Sequence, residues 1–174
     1  MLLELLKSRR SIRSFKDREV EKDKIDSILK GALLSPSSRG RRPWEFIAVT
    51  DKESLKKLSQ CREHSSQFLE GAPLGIVVIA DPEVCDVWIE DASIAAIIIQ
   101  LISNSLGLGS CWIQVRERFH SSSRKAEDYI KEVLNIPGKY SVECIIAVGY
   151  QDEEKKPHNE ENLPYHKLHF EKYS

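Results

Sequence analysis

The strongest constraint on the fold is the run from Gly75 to Ala80, GIVVIA, which contains no polar side chain. Alternating apolar and polar residues would predict a strand with one face in water, whereas a continuous apolar run is typical of a strand covered on both faces. Such a strand needs other layers of structure against it. The chain should therefore pack helices on a sheet.

Helices and strands are predicted in a mixed order, without an internal repeat or a low-complexity linker. The predicted elements are helix Leu2–Ser8, helix Ile25–Leu33, strand Glu45–Thr50, a helix capped by Asp51, strand Gly75–Ala80, helix Trp88–Leu106, strand Ser110–Val115, helix Ala126–Leu134 and strand Val142–Tyr150. The helix Trp88–Leu106 is apolar almost all round, so we expect it to be buried. This pattern indicates an α+β or α/β class with about four strands.

The length and charge indicate one globular domain, residues 1–174, without a global attraction to polyanions. Lys and Arg total 26 against 27 Asp and Glu, which gives a net charge of −1, and any anion site must be local. The N-terminal MLLELLKSRR does not have the order of a signal peptide, and no apolar stretch approaches the ~20 residues of a membrane span. The four cysteines are predicted to be reduced and mostly buried, as in a cytoplasmic protein.

Several common catalytic motifs are missing from the sequence. There is no G-x-S-x-G elbow, no H-E-x-x-H and no P-loop. Gly107-Leu108-Gly109 begins like a dinucleotide fingerprint, but Trp112 occupies the third glycine position and the motif follows a helix instead of a strand. His166 and His169 have helical spacing without neighbouring carboxylates, so we predict no metal site.

The segment from Ser8 to Phe15, SRRSIRSF, holds three arginines and three serines. Guanidinium groups present a planar fork of donors that matches phosphate oxygens, and serine hydroxyls add neutral donors. A phosphate site is one interpretation of this segment. The other is a solvated basic patch that ends the first helix favourably.

Two later segments also allow a functional and a purely structural interpretation. Ser35–Trp44 is a basic loop of small residues that could approach a flat ring, or an ordinary turn with Trp44 in the core. Gly107–Trp112 allows close approach of the backbone to a ligand, or ends a helix before a buried strand.

Taken together and in this order, the three segments resemble the nitroreductase family of flavoenzymes. Its opening arginine pair followed by Ser-Ile-Arg and an aromatic residue is matched by Arg9–Phe15, its Pro-Ser loop ending in Pro-Trp by Pro36–Trp44, and its Gly-Leu-Gly motif by Gly107–Trp112. The resemblance implies an α+β fold with three layers, in which helices flank a central, mostly antiparallel sheet. It also implies an intertwined homodimer, with residues 151–174 as a C-terminal extension that docks on the partner subunit.

The resemblance further implies that FMN lies at the dimer interface. The residues expected to bind it are Arg9, Arg10, Ser11 and Arg13 at the phosphate, ribityl chain and ring edge; Pro36, Ser37 and Ser38, contributed by the other subunit; Leu108, Gly109 and Ser110 beside the ring; and Lys155 or Lys156 at the phosphate. The chain departs from the family pattern at Gly40, where Asn is usual, and at Arg42, where Gln is usual. Arg42 is therefore a candidate cation beside the flavin.

The expected activity is electron transfer by a ping-pong cycle from NAD(P)H through FMN to a nitroaromatic, a quinone or a similar small acceptor. The chemistry would take place at flavin N5 and would need no catalytic side chain. One alternative is a different reaction on the same flavin-binding fold, such as dehalogenation or flavin modification. Another is a nucleic-acid-binding module that uses the six arginines of the first two segments, although the neutral net charge argues against nucleic acid as a partner.

Overall fold

A computed structural model of the chain describes residues 2–173 and contains one main sheet between two layers of helix. The helices are α1 (Leu2–Ser8), α2 (Lys22–Leu33), α3 (Lys52–Ser59), α4 (Trp88–Ser105) and α5 (Ala126–Leu134). The strands are β1 (Trp44–Val49), β2 (Leu74–Ala80), β3 (Gly109–Gln114), β4 (Phe119–Ser121), β5 (Arg124–Lys125) and β6 (Ser141–Gly149). Most predicted boundaries differ from these by one to three residues.

The main sheet has the strand order β1-β2-β6-β3, and every neighbouring pair is antiparallel. Gly109 pairs with Gly149, and Leu74 pairs with the preceding residue of β6, so these residues share one end of the sheet, called here the Gly149 end. Trp44 pairs with Ala80 at the opposite end, called here the Trp44 end. Every strand of the main sheet therefore runs between these two ends.

Two hydrophobic clusters lie on opposite faces of the sheet, because successive side chains of a strand point to opposite faces. Ile76 and Val78 of β2 pack in the cluster that contains α2 and α4. Val77 and Ile79 pack in the cluster that contains α3 and α5. Every residue of β2 is buried. The α+β class and the three-layer arrangement are therefore confirmed, as is the prediction of a strand covered on both faces.

Helix α4 crosses the sheet from the Trp44 end to the Gly149 end, a rise of about 27 Å at 1.5 Å per residue. It stops at Gly107, whose φ of 77° belongs to the left-handed region that glycine adopts easily. The amide of Leu108 then donates to the carbonyl of Ser103 at 2.9 Å and closes the end of the helix. This turn carries the chain directly into β3.

The outer face of α4 differs from the sequence prediction. Ile94 and Ile97 are 39% and 36% exposed, so the expectation that this helix is buried all round was wrong for that face. The reason is geometric, because the sheet and α2 pack against only part of the helix surface. Within residues 2–173, an apolar strip of α4 is left facing outwards.

The C-terminal segment lies largely open to solvent in the single chain. Leu168, Phe170 and Tyr173 are 62%, 86% and 92% exposed, so they do not dock on the domain that carries them. All four cysteines are buried and unpaired, as predicted. None of the helices between residues 2 and 173 has the length and apolar content needed to cross a bilayer.

Candidate functional site

The arginine-rich segment lies against the beginning of β3. Ser11 forms a parallel bridge with Ser110, and the amide of Ile12 donates to the carbonyl of Ser110 at 3.0 Å. A Cβ atom on Gly109 would lie 2.9 Å from Ile12, so the absence of a side chain permits this close approach. The structure thus brings the first and third sequence segments together at the Gly149 end.

The chain that follows β6 borders the same segment on its other side. Phe15 forms an antiparallel bridge with Gln151, and the amide of Lys16 donates to the carbonyl of Tyr150 at 2.8 Å. The amide of Asp152 donates to the carbonyl of Ser14 at 2.9 Å. Residues 11–16 are therefore held between the start of β3 and the segment after β6.

The two candidate lysines of the tail contact this segment in different ways. Lys155 directs its ammonium to the carbonyl of Ser11, with Nζ and O 2.5 Å apart. Lys156 contributes its backbone carbonyl, which accepts a hydrogen bond from the guanidinium of Arg10. Of the two lysines, Lys155 is therefore the one whose charge is directed to the arginine segment.

The pKa of the buried Cys111 thiol is affected by the positive charges at this end of the sheet. Burial raises its pKa, whereas the charges of Arg13, Lys155 and Arg9 act in the opposite direction. The backbone N–H of Arg13 donates to Glu153 at 2.5 Å and lowers the pKa of that carboxyl group. Glu153 is thus a charged anchor for the backbone, and it also pairs with Lys155 at 3.2 Å.

The remaining donors are suited to an anionic ligand such as a phosphate. Within residues 2–173, the side chain of Arg9 has no hydrogen bond or ion pair, and the guanidinium carbon of Arg13 lies 5.9 Å from the centre of the Phe68 ring. In this part of the chain, no carboxylate therefore forms an ion pair with either guanidinium group. Their forks match phosphate oxygens, and the nearby ammonium of Lys155 adds a third positive charge.

The second sequence segment lies at the opposite end of the sheet. The amide of Ser38 donates to Oδ1 of Asp91, in the first turn of α4, at 2.8 Å. Leu108 and Ser110 follow the other end of that helix, which rises about 21 Å from Asp91 to Ser105 at 1.5 Å per residue. Pro36, Ser37, Ser38 and Arg42 are therefore not brought together with the arginine segment within one chain.

A polar network that the sequence did not indicate supports the Gly149 end. The hydroxyl of Tyr150 donates to Glu21 at 2.6 Å and accepts from the ammonium of Lys24 at 2.8 Å. Lys24 also donates to the carbonyl of Leu106, immediately before the Gly107 turn, at 3.1 Å. The hydrogen bond from Tyr150 is the main reason why the pKa of Glu21 falls to about 2.

The class of protein follows from this fold and site together with the family comparison. The model of the nitroreductase family matches residues 6–64 and 58–150. These ranges include all three sequence segments and all four strands of the main sheet. The chain belongs to the nitroreductase family.

Individual relatives agree with this assignment. An FMN-dependent nitroreductase from Clostridium difficile R20291 has a solved structure that is 60% identical, covers 98% of this chain and 99% of its own, and superposes with a TM-score of 0.97. An Archaeoglobus fulgidus protein, provisionally named NADH dehydrogenase/NAD(P)H nitroreductase, is 39% identical over 157 residues, 88% of this chain and 87% of that protein. An iodotyrosine deiodinase from Thermotoga neapolitana is 24% identical over 182 residues, 95% of this chain and 97% of that protein.

Proposed function

We propose that this protein is an FMN-dependent oxidoreductase that passes electrons from NAD(P)H to a small acceptor such as a nitroaromatic or a quinone. The observation that carries the proposal is the convergence of Arg9, Arg13 and Lys155 beside the Gly109 approach in a member of the nitroreductase family. When bound, FMN supplies a ring that accepts a hydride at N5 and passes electrons on. The protein then has to position reactants and charges, and a side-chain acid or base is not required.

The residues at the Gly149 end have distinct roles in this proposal. Arg9, Arg13 and Lys155 bind the phosphate in this proposal, because Lys155 contacts Ser11 between the two arginines and shares Glu153 with the backbone of Arg13. Arg10 and Ser11 hold the neighbouring part of the cofactor. Leu108, Gly109 and Ser110 pack beside the ring. The absence of a side chain at Gly109 allows the backbone of β3 to lie close to Ile12 of the arginine segment.

The proposed enzyme is a homodimer in which each FMN site uses both subunits. Two copies related by a twofold axis can place the Trp44 end of one against the Gly149 end of the other, which would unite two segments that a single chain keeps apart. The partner's Ser37 and Ser38 would then line the ring. The exposed strip containing Ile94 and Ile97, together with the tail aromatics, supplies apolar surface for the interface.

The proposed cycle is ping-pong in one pocket. The donor enters first, transfers its hydride and leaves, and the acceptor then enters the same space. Two substrates can share a pocket in this way when neither needs a dedicated nucleotide-binding motif, and the sequence contains none. Parallel lines in double-reciprocal plots at several fixed acceptor concentrations would support this order, whereas intersecting lines would contradict it.

The decisive experiment uses the visible absorption of flavin. The purified protein should be yellow or become yellow with added FMN, and its absorption should bleach under anaerobic conditions with NADH or NADPH. A nitroaromatic or a quinone should then restore the absorption. A colourless protein that does not bind added FMN would overturn the proposal.

Dehalogenation is a second candidate, supported by the similarity to the Thermotoga neapolitana deiodinase over most of both chains. The two activities can be separated after chemical reduction of the bound flavin. Iodide release from iodotyrosine, with no reduction of nitroaromatics or quinones, would favour dehalogenation. The opposite result would favour the first proposal.

A further inference from the structure

The segment Ser37–Arg42, called here the arginine loop, has an unusual and well-anchored backbone. Arg39 and Arg42 have φ values of 52° and 50°, and Gly40 between them has a φ of 67°. Residues other than glycine seldom adopt this region, so the loop carries a conformational cost. The amide of Arg42 donates to the hydroxyl of Ser37 at 2.9 Å and closes the loop.

The same loop is fixed to the rest of the domain through Ser38. Its amide donates to Asp91, a residue of α4 that is only 3% exposed. The positions of Arg39 and Arg41 are therefore set relative to Ser37 and Ser38, which the proposed function places beside the flavin ring. The location of Ser37 and Ser38 beside the ring rests on the proposed function.

Most of the positive charge of the arginine loop is not neutralised. Within residues 2–173, the side chains of Arg39 and Arg42 have no hydrogen bond or ion pair. Arg41 lies 3.8 Å from Asp86, whose side chain is 89% exposed. Such a long and solvated ion pair contributes little.

Arg39 and Arg41 line a cleft of about 470 Å³ together with residues 82–87. Glu83 and Asp86 carry the negative charges of this cleft, and Asp86 competes directly for Arg41. A ligand with an anionic group would displace that weak pairing. The cleft therefore offers space for an entering group beside two cations, and it is also lined by Ser38, which the proposed function places beside the flavin.

We infer that Arg39 and Arg41 determine specificity by binding an anionic group, a carboxylate or a phosphate, on the substrate that reacts at the flavin. The favoured source is a carboxylated aromatic acceptor, and the phosphate groups of the nicotinamide donor are the other source of the same chemistry. The FMN phosphate belongs in this scheme to Arg9, Arg13 and Lys155, and the two arginines of the loop act on the substrate instead. They should therefore affect KM for charged substrates and leave kcat unchanged.

The experiment compares pairs of substrates that differ in charge. The acceptor pair is 4-nitrobenzoate and 4-nitrobenzamide, and the donor pair is NADPH and NADH. The variants are Arg41→Ala, Arg39→Asn, which removes the charge while Asn tolerates the positive φ, and Asp86→Asn, which removes the competing carboxylate. Arg118→Ala is the matched control, because Arg118 is an exposed arginine outside the cleft of Arg39 and Arg41, and its side chain donates to the carbonyl of its neighbour Glu117.

Arg41→Ala should raise KM for 4-nitrobenzoate roughly fivefold relative to 4-nitrobenzamide, as expected for one partly exposed ion pair. Asp86→Asn should lower the same KM. Arg41→Lys keeps the positive charge, so its KM should lie close to that of the wild type. Binding of benzoate to the oxidised holoenzyme, followed by the change in flavin absorption, should weaken in parallel in Arg41→Ala. This equilibrium measurement does not depend on turnover.

The outcomes distinguish the source of the anion and separate this inference from the proposed function. A selective loss with 4-nitrobenzoate identifies the acceptor, and a selective loss with NADPH identifies the donor. Equal effects on charged and neutral substrates, or the same effect in Arg118→Ala, would overturn the inference while bleaching by NAD(P)H left the proposed function intact. Absence of FMN in the wild-type protein would instead count against the proposed function.

Discussion

Arg13 contributes to the Gly149 end through two different groups. Its backbone N–H donates to Glu153, whereas within residues 2–173 its guanidinium has only the loose contact with the Phe68 ring. A substitution of the side chain therefore leaves the backbone anchor in place. This separation makes Arg13 a suitable position for testing the phosphate role without disturbing the local fold.

Arg13→Ala should weaken FMN binding roughly tenfold, because one charge-assisted contact to the phosphate is lost from a partly solvated site. The measurement is a titration of FMN into apo-protein, followed by quenching of flavin fluorescence. Arg118→Ala removes the same charge from a residue that is not among the proposed FMN contacts, so this variant should bind FMN like the wild type. Equal dissociation constants for the two variants would contradict the role of Arg13.

Arg42 is the proposed cation beside the flavin ring. Arg42→Ala should lower the midpoint potential of the bound flavin, because a nearby positive charge stabilises the more negative reduced ring. The potential can be measured by anaerobic titration against reference dyes, with Arg41→Ala as a neighbouring control. An unchanged potential in Arg42→Ala would remove this role.

At the scale of secondary-structure elements, close backbone contacts determine the site as much as charges do. The arginine segment and β3 meet at Gly109, where an added Cβ would lie 2.9 Å from Ile12. Neither residue can move far, because Ile12 is buried and Gly109 is paired with Gly149 in the sheet. The lack of space for one methyl group at Gly109 therefore determines how closely the arginine segment approaches β3.

Gly109→Ala should displace residues 11–13, weaken FMN binding and reduce the free energy of unfolding by about 1–3 kcal/mol, the usual cost of overpacking. Gly138→Ala is the matched control, since among residues 2–173 no residue other than its two chain neighbours lies within 4 Å of the position of its Cβ. Chemical denaturation and FMN titration measure the two effects. If both variants behave alike, the close approach at Gly109 has no functional importance.

The hydrogen bond between Tyr150 and Glu21 should make the free energy of unfolding depend on pH in the acidic range. The pKa of Glu21 falls from 4.5 to about 2 in the folded chain, so its stabilising contribution is complete above pH 4.5 and is lost as the pH falls towards 2. Glu21→Gln should therefore show a weaker dependence of unfolding on pH in that range. Denaturation midpoints at several pH values test this, and identical slopes in both proteins would contradict it.

At the scale of the whole molecule, the main question is how the two separated ends come together. Ile97→Asp should convert the proposed dimer to monomer, because a carboxylate within an apolar interface remains unpaired. The monomer should also lose FMN affinity, since half of each site would be missing. Phe119→Asp makes a similar change at an exposed residue of β4, and it should remain dimeric in analytical ultracentrifugation.

The sequence predicted the order of elements because each one carries a local signal. The apolar residues of β2 and the N-cap of α3, where Asp51 accepts from Ser54 at 2.8 Å, follow from neighbouring residues alone. The hairpin of β4 and β5 was missed, since strands of three and two residues are too short to show a period. Contacts across the fold, such as Glu21 with Tyr150, left no pattern in the sequence.

The candidate site, like the fold, was predicted in part from the sequence. The motifs identified the arginine segment and Gly109, and the structure brings them together. The preference for Lys155 over Lys156 depends on which atom of each lysine faces the segment, which spacing does not reveal. The location of Ser37 and Ser38 at the other end of α4 likewise follows only from how the chain crosses the sheet.

The position of the arginine segment beside β3 has a consequence for the protein without its ligand. β3 is the outermost strand on its side of the sheet, and Ser11 bonds to its beginning. Unpaired edges of this kind recruit strands from other molecules and lead to aggregation. A ligand that holds the arginine segment in place would thus also shield the edge, so cofactor supply during synthesis would affect how much protein escapes aggregation.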